Sequence, residues 1–210
     1  MSNRKKGRCQ SCVMQFFGVV FFLLSLLGPS ADAAGADSYR VLCIVSYDLS
    51  WPASRSLLEG FEDVTGSACT MRYVFMNTKV QDVPTAERLA YEQLQLRMPR
   101  EAAYDGLYVC DDDALDFVMK YRAELFPGVP IVFAGINNVA KAEQVAKDPL
   151  ITGETESLPL LATVELARHI YPQAHRLVGI VDDTSAGRGF AEQFGTQTAA
   201  LSDMEMSLLD

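Results

Sequence analysis

The chain has 210 residues, with 18 basic and 27 acidic side chains and a formal net charge of −9. This length allows one well-packed core, or one domain and part of a second. The acidic balance argues against nucleic acid and anionic membrane surfaces as partners, because both repel a negatively charged protein.

Residues 1–33 have the pattern of a secretory signal peptide. Basic side chains between Arg4 and Arg8 precede an apolar run at residues 16–27, and Gly28-Pro29 and two Ala-rich cleavage sites follow. The run is short for a membrane span, which needs about 20 apolar residues, but an extension towards Cys12 would make it an uncleaved anchor. The pattern predicts export to the periplasm, with membrane tethering if the leader is not cut.

After residue 37, short apolar runs alternate with amphipathic segments. This alternation predicts an α/β fold with a doubly wound, mostly parallel sheet and helices on both faces. The first lobe is expected over residues 38–150. Its predicted strands are residues 40–47, 70–77, 104–110 and 130–136, and its predicted helices are residues 54–66, 85–98 and 114–126.

A weak internal echo predicts a second lobe over residues 151–210. "RVLCIVSYD" from Arg40 and "RLVGIVDDT" from Arg176 align without a gap, and each precedes a helix-like segment. One helix at residues 158–170, one strand and a last helix from about Ser185 are expected there. The glycines of "SAGRGF", which begins at Ser185, are interpreted as a loose turn. This stretch is about half as long as the first lobe, so the second lobe is expected to be incomplete.

The loops at the carboxyl ends of parallel strands converge on one edge of a sheet, where ligands bind. The candidate ligand-binding residues are therefore those that follow predicted strands, with Glu154 added as a hinge or cleft residue between the lobes. They are Ser46, Tyr47, Asp48, Trp51, Asp111, Asp112, Asp113, Asn137, Asn138 and Glu154.

The three aspartates at residues 111–113 admit several interpretations. Asp113 is placed to be the N-cap of the third helix, with Asp116 in its first turn. Asp111 and Asp112 could bind a ligand's amine or hydroxyls, hold Mg²⁺ as an enzyme would, or only shape the turn. A ligand contact is preferred to a metal, because the fourth strand ends in "AGINN" without the lysine and hydroxyl of a phosphoryl-transfer site.

Other residues argue against catalysis and cofactors. Cys43 and Cys110 lie in predicted strands as small apolar side chains, and three cysteines after the leader form no disulfide framework. His169 and His175 have no partner at metal-ligand spacing, and no phosphate loop or nucleophile motif occurs. Tyr47 and Trp51 are expected to cover the sheet edge or to stack on a flat ligand.

Several stretches together resemble the ABC-transporter substrate-binding-like sensor domains found ahead of bacterial histidine kinases and diguanylate cyclases. They are "VLCIVSYDLSWPASRSLLEGF", "NTK", "YDGLYVCDDDALDFVMKYRAELFPGVPIVFAGINN", "ITGETESLPLLATVELARHIYP" and "LVGIVDDTSAGRG". The resemblance covers residues 40–190, and its most specific part is "DDDALDFV…YR…LFPGVPIVF.GIN".

The resemblance implies a type I periplasmic-binding-protein fold without enzymatic activity, in which two lobes hold a small molecule between them. The implied partners are that ligand and a histidine kinase, a diguanylate cyclase or an ABC permease. Carried over to this chain, the family's cleft falls on Ser46, Tyr47, Trp51, Asp111, Asp112 and Asn137. Asp48 departs from the histidine or aromatic residue common in relatives, so the ligand is expected to differ. The family's longer second lobe implies that this chain is a fragment or a shortened gene product.

Overall fold

The structure is a computed structural model that describes residues 38–98 and 103–209, within one compact unit of residues 38–210. The predicted signal peptide lies outside the described residues. The strands are β1 (Tyr39–Val45), β2 (Cys69–Phe75), β3 (Gly106–Cys110), β4 (Ile131–Ile136), β5 (Ile151–Thr155), β6 (Arg176–Ile180) and β7 (Glu205–Leu209). The helices are α1 (Pro52–Thr65), α2 (Val83–Arg97), α3 (Asp112–Leu125), α4 (Val139–Val145), α5 (Leu160–Ile170) and α6 (Ser185–Thr198), with a 3₁₀ turn at Gly66–Ala68.

The first five strands form one parallel sheet in the order β2-β1-β3-β4-β5. The chain moves outward from β1 to β2 and then returns to β3 on the other side of β1. The direction of winding therefore reverses between β1 and β3, where Val45 pairs with Cys110 at the carboxyl ends. A crevice opens at such a reversal in doubly wound sheets.

Both faces of this sheet are covered by helices, which confirms the predicted doubly wound architecture. Leu42 and Ile44 of β1 pack on one face with α2, α3 and α4. Val41, Cys43 and Val45 pack on the other face with α1. Because alternate side chains of a strand point to opposite faces, β1 must be apolar without interruption. Burial of a side chain such as Leu42 stabilises the fold by about 1.5–3 kcal/mol.

The predicted boundary between the lobes at residue 150 falls too early. Ile151–Thr155 pairs with β4 and forms the fifth strand of the first sheet, where four strands were expected. "ITGET" is short and mostly exposed, so it lacks the apolar run that marked the other strands. Gly153 suits this edge position, because a Cβ there would lie 2.1 Å from the Phe133 carbonyl oxygen.

The second lobe consists of α5, α6 and the parallel pair β6-β7, around a small core that includes Leu160, Val164 and Phe194. The echo between Arg40 and Arg176 is thus a repeated β-α-β unit. Strand β7 was not predicted, because "EMSLL" is short and is not an unbroken apolar run, and the structure shows it mostly exposed.

The glycines of "SAGRGF" lie inside helix α6, which corrects the loose-turn interpretation. The helix begins where the Thr184 side chain accepts a hydrogen bond from the Gly187 backbone N–H, at 3.0 Å. Gly187 and Gly189 are both buried. None of the helices in the described ranges is both long and apolar enough to cross a membrane.

Candidate functional site

Ser46 joins the two loops on either side of the winding reversal. Its side chain is fully buried, and its Oγ donates to the Cys110 carbonyl oxygen at 3.1 Å. The same Oγ accepts from the Ala114 backbone N–H at 2.8 Å, so it satisfies one of the unpaired donors at the start of α3. Ser46 therefore supports the site from behind and does not line the cavity described below.

Asp111 has a strained backbone and a buried, unpaired carboxylate oxygen. Its φ of +70° and ψ of 167° lie in a region that is nearly exclusive to glycine. The side chain is 5% exposed, and its Oδ2 has no hydrogen-bond partner. Burial raises the pKa of Asp111 to about 7, and the negative charges of Asp112, Glu156 and Asp113 add to this effect while Lys79 opposes it.

Asp112 binds the end of β4 rather than facing the cavity. Its Oδ2 accepts from the backbone N–H and side-chain amide of Asn137, at 3.0 and 3.1 Å. Its Oδ1 accepts from the Asn138 N–H at 3.0 Å, and Asn138 in turn caps α4 by accepting from the Lys141 N–H. Both oxygens already have donors, so the geometry gives no support to a magnesium site on Asp111 and Asp112. No cluster of three metal-ligating side chains occurs in the described part of the chain.

Asp113 was predicted to be the N-cap of α3, and the structure contradicts this. The helix already begins at Asp112, with Asp111 at the cap position and no side-chain cap. Asp113 accepts from the Thr78 hydroxyl at 2.6 Å and from the Ser185 hydroxyl at the start of α6. Asp113 therefore connects the loop after β2 with the second lobe. This role depends on tertiary contacts and not on the local sequence.

Two aromatic side chains and a lysine lie beside Asp111. The rings of Tyr47 and Trp51 meet edge to face with centroids 5.7 Å apart. The Lys79 Nζ lies 4.9 Å from the Tyr47 ring centroid, 5.1 Å from the Trp51 centroid and 3.9 Å from Asp182 Oδ2. Burial, followed by the charge of Asp111, raises the pKa of the Tyr47 hydroxyl.

A cavity of about 810 Å³ opens between this edge of the first sheet and the second lobe. Of the predicted residues, Tyr47, Trp51, Asp111 and Asn137 line it. Three charged residues of the lining were not predicted, namely Lys79, Glu156 and Asp182. The second lobe contributes mostly apolar residues to the lining, among them Leu158, Leu160, Leu177, Ile180, Phe190 and Phe194.

Asp48 and Glu154 do not line the cavity. Asp48 accepts hydrogen bonds from the backbone and hydroxyl of Ser50, which lower its pKa and shape the loop before α1. Glu154 is an exposed residue of β5, so the hinge role expected for it is not supported. Glu156, two residues later, is the acidic side chain that reaches the cavity.

Of the site residues that the sequence prediction missed, some could have been found from the sequence and others could not. Lys79 lies in the loop after β2, four residues beyond Phe75, so the rule about carboxyl ends of strands would have included it. Gln193 had no local signal, because it acts from the middle of α6. Its side-chain amide donates to the carbonyl oxygens of Asn137 and Glu156, both at 2.9 Å.

Comparison with solved structures finds similar folds at low sequence identity. The ABC domain from Streptococcus pneumonia in complex with L-Trp is 14% identical with a TM-score of 0.60, over 82% of this chain and 57% of that one. A conserved domain protein from Vibrio cholerae O1 biovar eltor is 15% identical with a TM-score of 0.56, over 81% and 56%. The Lac repressor bound to ONPG is 8% identical with a TM-score of 0.50, over 100% and 59%.

These neighbours have periplasmic-binding-protein-like folds, and this chain has the type I form of that fold, as predicted. The chain spans between 56% and 59% of the length of each neighbour. No protein-family model and no curated protein sequence matches the chain.

Proposed function

We propose that the protein is an exported solute-binding or sensory module that holds a small organic molecule in the cavity between its lobes. The bound state would be the input for transport or for transmembrane signalling through a kinase, a cyclase or an ABC permease. The leader-like pattern of residues 1–33 supports export, and the fold supports ligand binding between lobes.

The observation that carries the proposal is the buried carboxylate of Asp111 at the wall of a cavity of about 810 Å³. This volume falls within the range of about 300–1,000 Å³ that is typical of small-molecule sites. A buried carboxylate oxygen without a donor is costly, and a ligand that supplies the donor would remove that cost.

Two of the structural neighbours are bound to small molecules, L-Trp in one case and ONPG in the other. Both neighbours are longer than this chain and differ from it at most positions. Their ligands therefore suggest the size of a ligand for this cavity and not its identity. The aromatic pair of Tyr47 and Trp51 and the mostly apolar lining from the second lobe favour a ligand with a flat or apolar body.

Contacts between the edge of the first sheet and the second lobe supply a route from binding to signal. Ser185 donates to Asp113, Lys79 pairs with Asp182, and Gln193 donates to the Asn137 carbonyl oxygen. A ligand that contacts both sides would favour the arrangement in which these contacts are closed, and the population of that arrangement would report occupancy.

The test is a ligand screen on the full-length protein that uses Trp51 as the reporter. Trp51 is the single tryptophan, is 44% exposed and lines the cavity. We expect at least one member of an amino-acid, amine, nucleoside and dicarboxylate panel to change its emission saturably and to raise the melting temperature.

The control is Asp63→Asn, which removes an exposed carboxylate of α1 outside the cavity lining and should bind as the wild type does. Asp111→Asn should weaken the response. A panel without any saturable response would contradict the proposal.

A further inference from the structure

The lining of the cavity has more acidic than basic groups. Asp111, Glu156 and Asp182 contribute carboxylates, and Lys79 is the one basic side chain among the described lining residues. A carboxylate on a ligand would need a cation of its own, and Lys79 already lies against Asp182 and over two aromatic rings. The charges therefore disfavour an anionic head group.

Two buried hydrogen-bond acceptors on residues that line the cavity have no donor. They are Oδ2 of Asp111 and Oδ1 of Asn137, and both atoms are buried. The orientation of the Asn137 amide follows from its contacts, because its nitrogen donates to Asp112 Oδ2 and to the Gly135 carbonyl oxygen. Its oxygen must then point away from those two acceptors. A primary ammonium has three N–H donors and matches such a pair of oxygens.

The remaining wall suits the body of such a ligand. Leu158, Leu177, Phe190 and Phe194 give the cavity an apolar surface, and Asp182 is the charged residue that the second lobe adds to the lining. Removing the apolar body of a ligand from water against this surface favours the complex.

We infer that the cavity binds a protonated amine with an apolar body and no carboxylate, its ammonium donating to Asp111 and Asn137. This inference rests on the proposed function and narrows it to one class of ligand. Lys79 is then a competing internal cation that weakens binding, whereas for an amino acid or a carboxylic acid it would be the residue that holds the carboxylate.

A matched ligand series on the full-length protein separates these cases. The four probes are phenethylamine, L-phenylalanine, 3-phenylpropionate and 2-phenylethanol, which share a ring and differ in charge, and calorimetry measures each at pH 8.5. We expect phenethylamine to bind tightest, by roughly tenfold or more over 2-phenylethanol, because a charged hydrogen bond at a buried site exceeds a neutral one. 3-Phenylpropionate should bind weakest.

Two variants give effects of opposite sign. Asp111→Asn should weaken phenethylamine by roughly tenfold to a hundredfold and leave 2-phenylethanol nearly unchanged. Lys79→Met keeps the aliphatic stem and removes the charge, and it should strengthen phenethylamine by roughly threefold to tenfold. The pH of 8.5 matters here, because loss of Lys79 raises the pKa of Asp111, which already titrates at about 7.

The affinity for phenethylamine should also rise with pH. The groups that face Asp111 are Asp112 and Asp113 from α3, Glu156 after β5, Lys79 after β2 and Tyr47 after β1. Only its ionised form can accept an ammonium, so phenethylamine affinity should rise between pH 6 and pH 8 with a midpoint near 7. The amine itself stays protonated over this range, because alkylammonium groups have pKa values of about 10.

The outcomes that would contradict the amine inference differ from those that would also contradict the proposed function. Tighter binding of L-phenylalanine or 3-phenylpropionate than of phenethylamine, or weaker phenethylamine binding by Lys79→Met, overturns the amine inference and leaves the proposed function in place. If none of the four probes and no member of the earlier panel binds, both proposals are overturned.

Discussion

Asp111 holds two unfavourable features at one position. Its backbone adopts a conformation that costs a non-glycine residue about 1–3 kcal/mol, and its carboxylate is buried beside other acids. The carboxylate is also closely packed against β4, because a Cβ at Gly135 would lie 3.3 Å from Asp111 Oδ1. Strain of this kind concentrates at ligand sites, where stability is exchanged for a preformed contact.

The substitution Asp111→Gly should therefore stabilise the fold while it impairs binding. Relief of the backbone strain should exceed the added freedom of the unfolded chain, for a net gain of about 1–2 kcal/mol in the free energy of unfolding at pH 7.5. Urea denaturation followed by Trp51 emission measures this gain. A loss of stability in Asp111→Gly would contradict this prediction and would show that the Asp111 carboxylate stabilises the fold.

The same residue should impose a pH dependence on stability. The folded-state pKa of Asp111, about 7, is raised above its ordinary value of 3.8, so the stability that this carboxyl contributes is fully present below pH 4 and is lost as the pH rises through 7. Asp111→Asn should flatten the decline in unfolding free energy between pH 5 and pH 8, relative to Asp63→Asn. An unchanged slope would contradict the buried position of the carboxyl.

At the scale of secondary-structure elements, α3 begins without a cap of its own. The Ala114 N–H in its first turn depends on another element, because it donates to the Ser46 hydroxyl that follows β1. Asp112, in the first turn of the helix, accepts from two N–H groups at the end of β4. The loops after β1, β3 and β4 are thus joined by hydrogen bonds within the sheet edge, which keeps the cavity wall in place.

Ser46→Ala tests this connection. The change leaves the Ala114 N–H without a buried partner and should lower the free energy of unfolding by about 1–3 kcal/mol. Ser56→Ala, at an exposed position of α1, is the matched control and should change stability by less than about 0.5 kcal/mol. Equal effects of the two substitutions in urea denaturation would show that the Ser46 hydroxyl does not support α3.

At the scale of the whole molecule, helix α6 joins the second lobe to the sheet edge. Gly189 packs against the end of β4, where a Cβ would lie 2.8 Å from the backbone carbon and Cβ of Asn137. Gln193, one turn later, donates to the carbonyl oxygens of Asn137 and Glu156. The cavity exists because this helix approaches the edge so closely.

Two glycines of α6 make a matched pair for this contact. Gly195→Ala meets nothing within 4 Å and should stabilise the protein by up to about 1 kcal/mol through helix propensity. Gly189→Ala has the same propensity gain but forces α6 away from Asn137, so we expect a net loss of about 1–3 kcal/mol and weaker ligand binding. Thermal unfolding and calorimetry measure both effects. A stable, fully binding Gly189→Ala protein would contradict the close packing.

Much of the site could be predicted because parallel strands deliver their loops to a common edge. Tyr47, Trp51, Asp111 and Asn137 were predicted on that basis, and they do line one cavity. Their role as ligand contacts stays a prediction. The strands β5 and β7 were not predicted, since each has only five residues and neither is an unbroken apolar run like β1 or β3.

The sequence by itself determined the doubly wound lobe, through strands that are apolar on both faces, and the set of polar residues at its edge. Only the tertiary structure decided how the three aspartates divide their roles. The hydrogen bonds of Asp112 and Asp113 go to Asn137 and Ser185, far along the chain, and Asp111 has no such partner. Local sequence cannot encode that division, because it depends on which donors folding brings within about 3 Å.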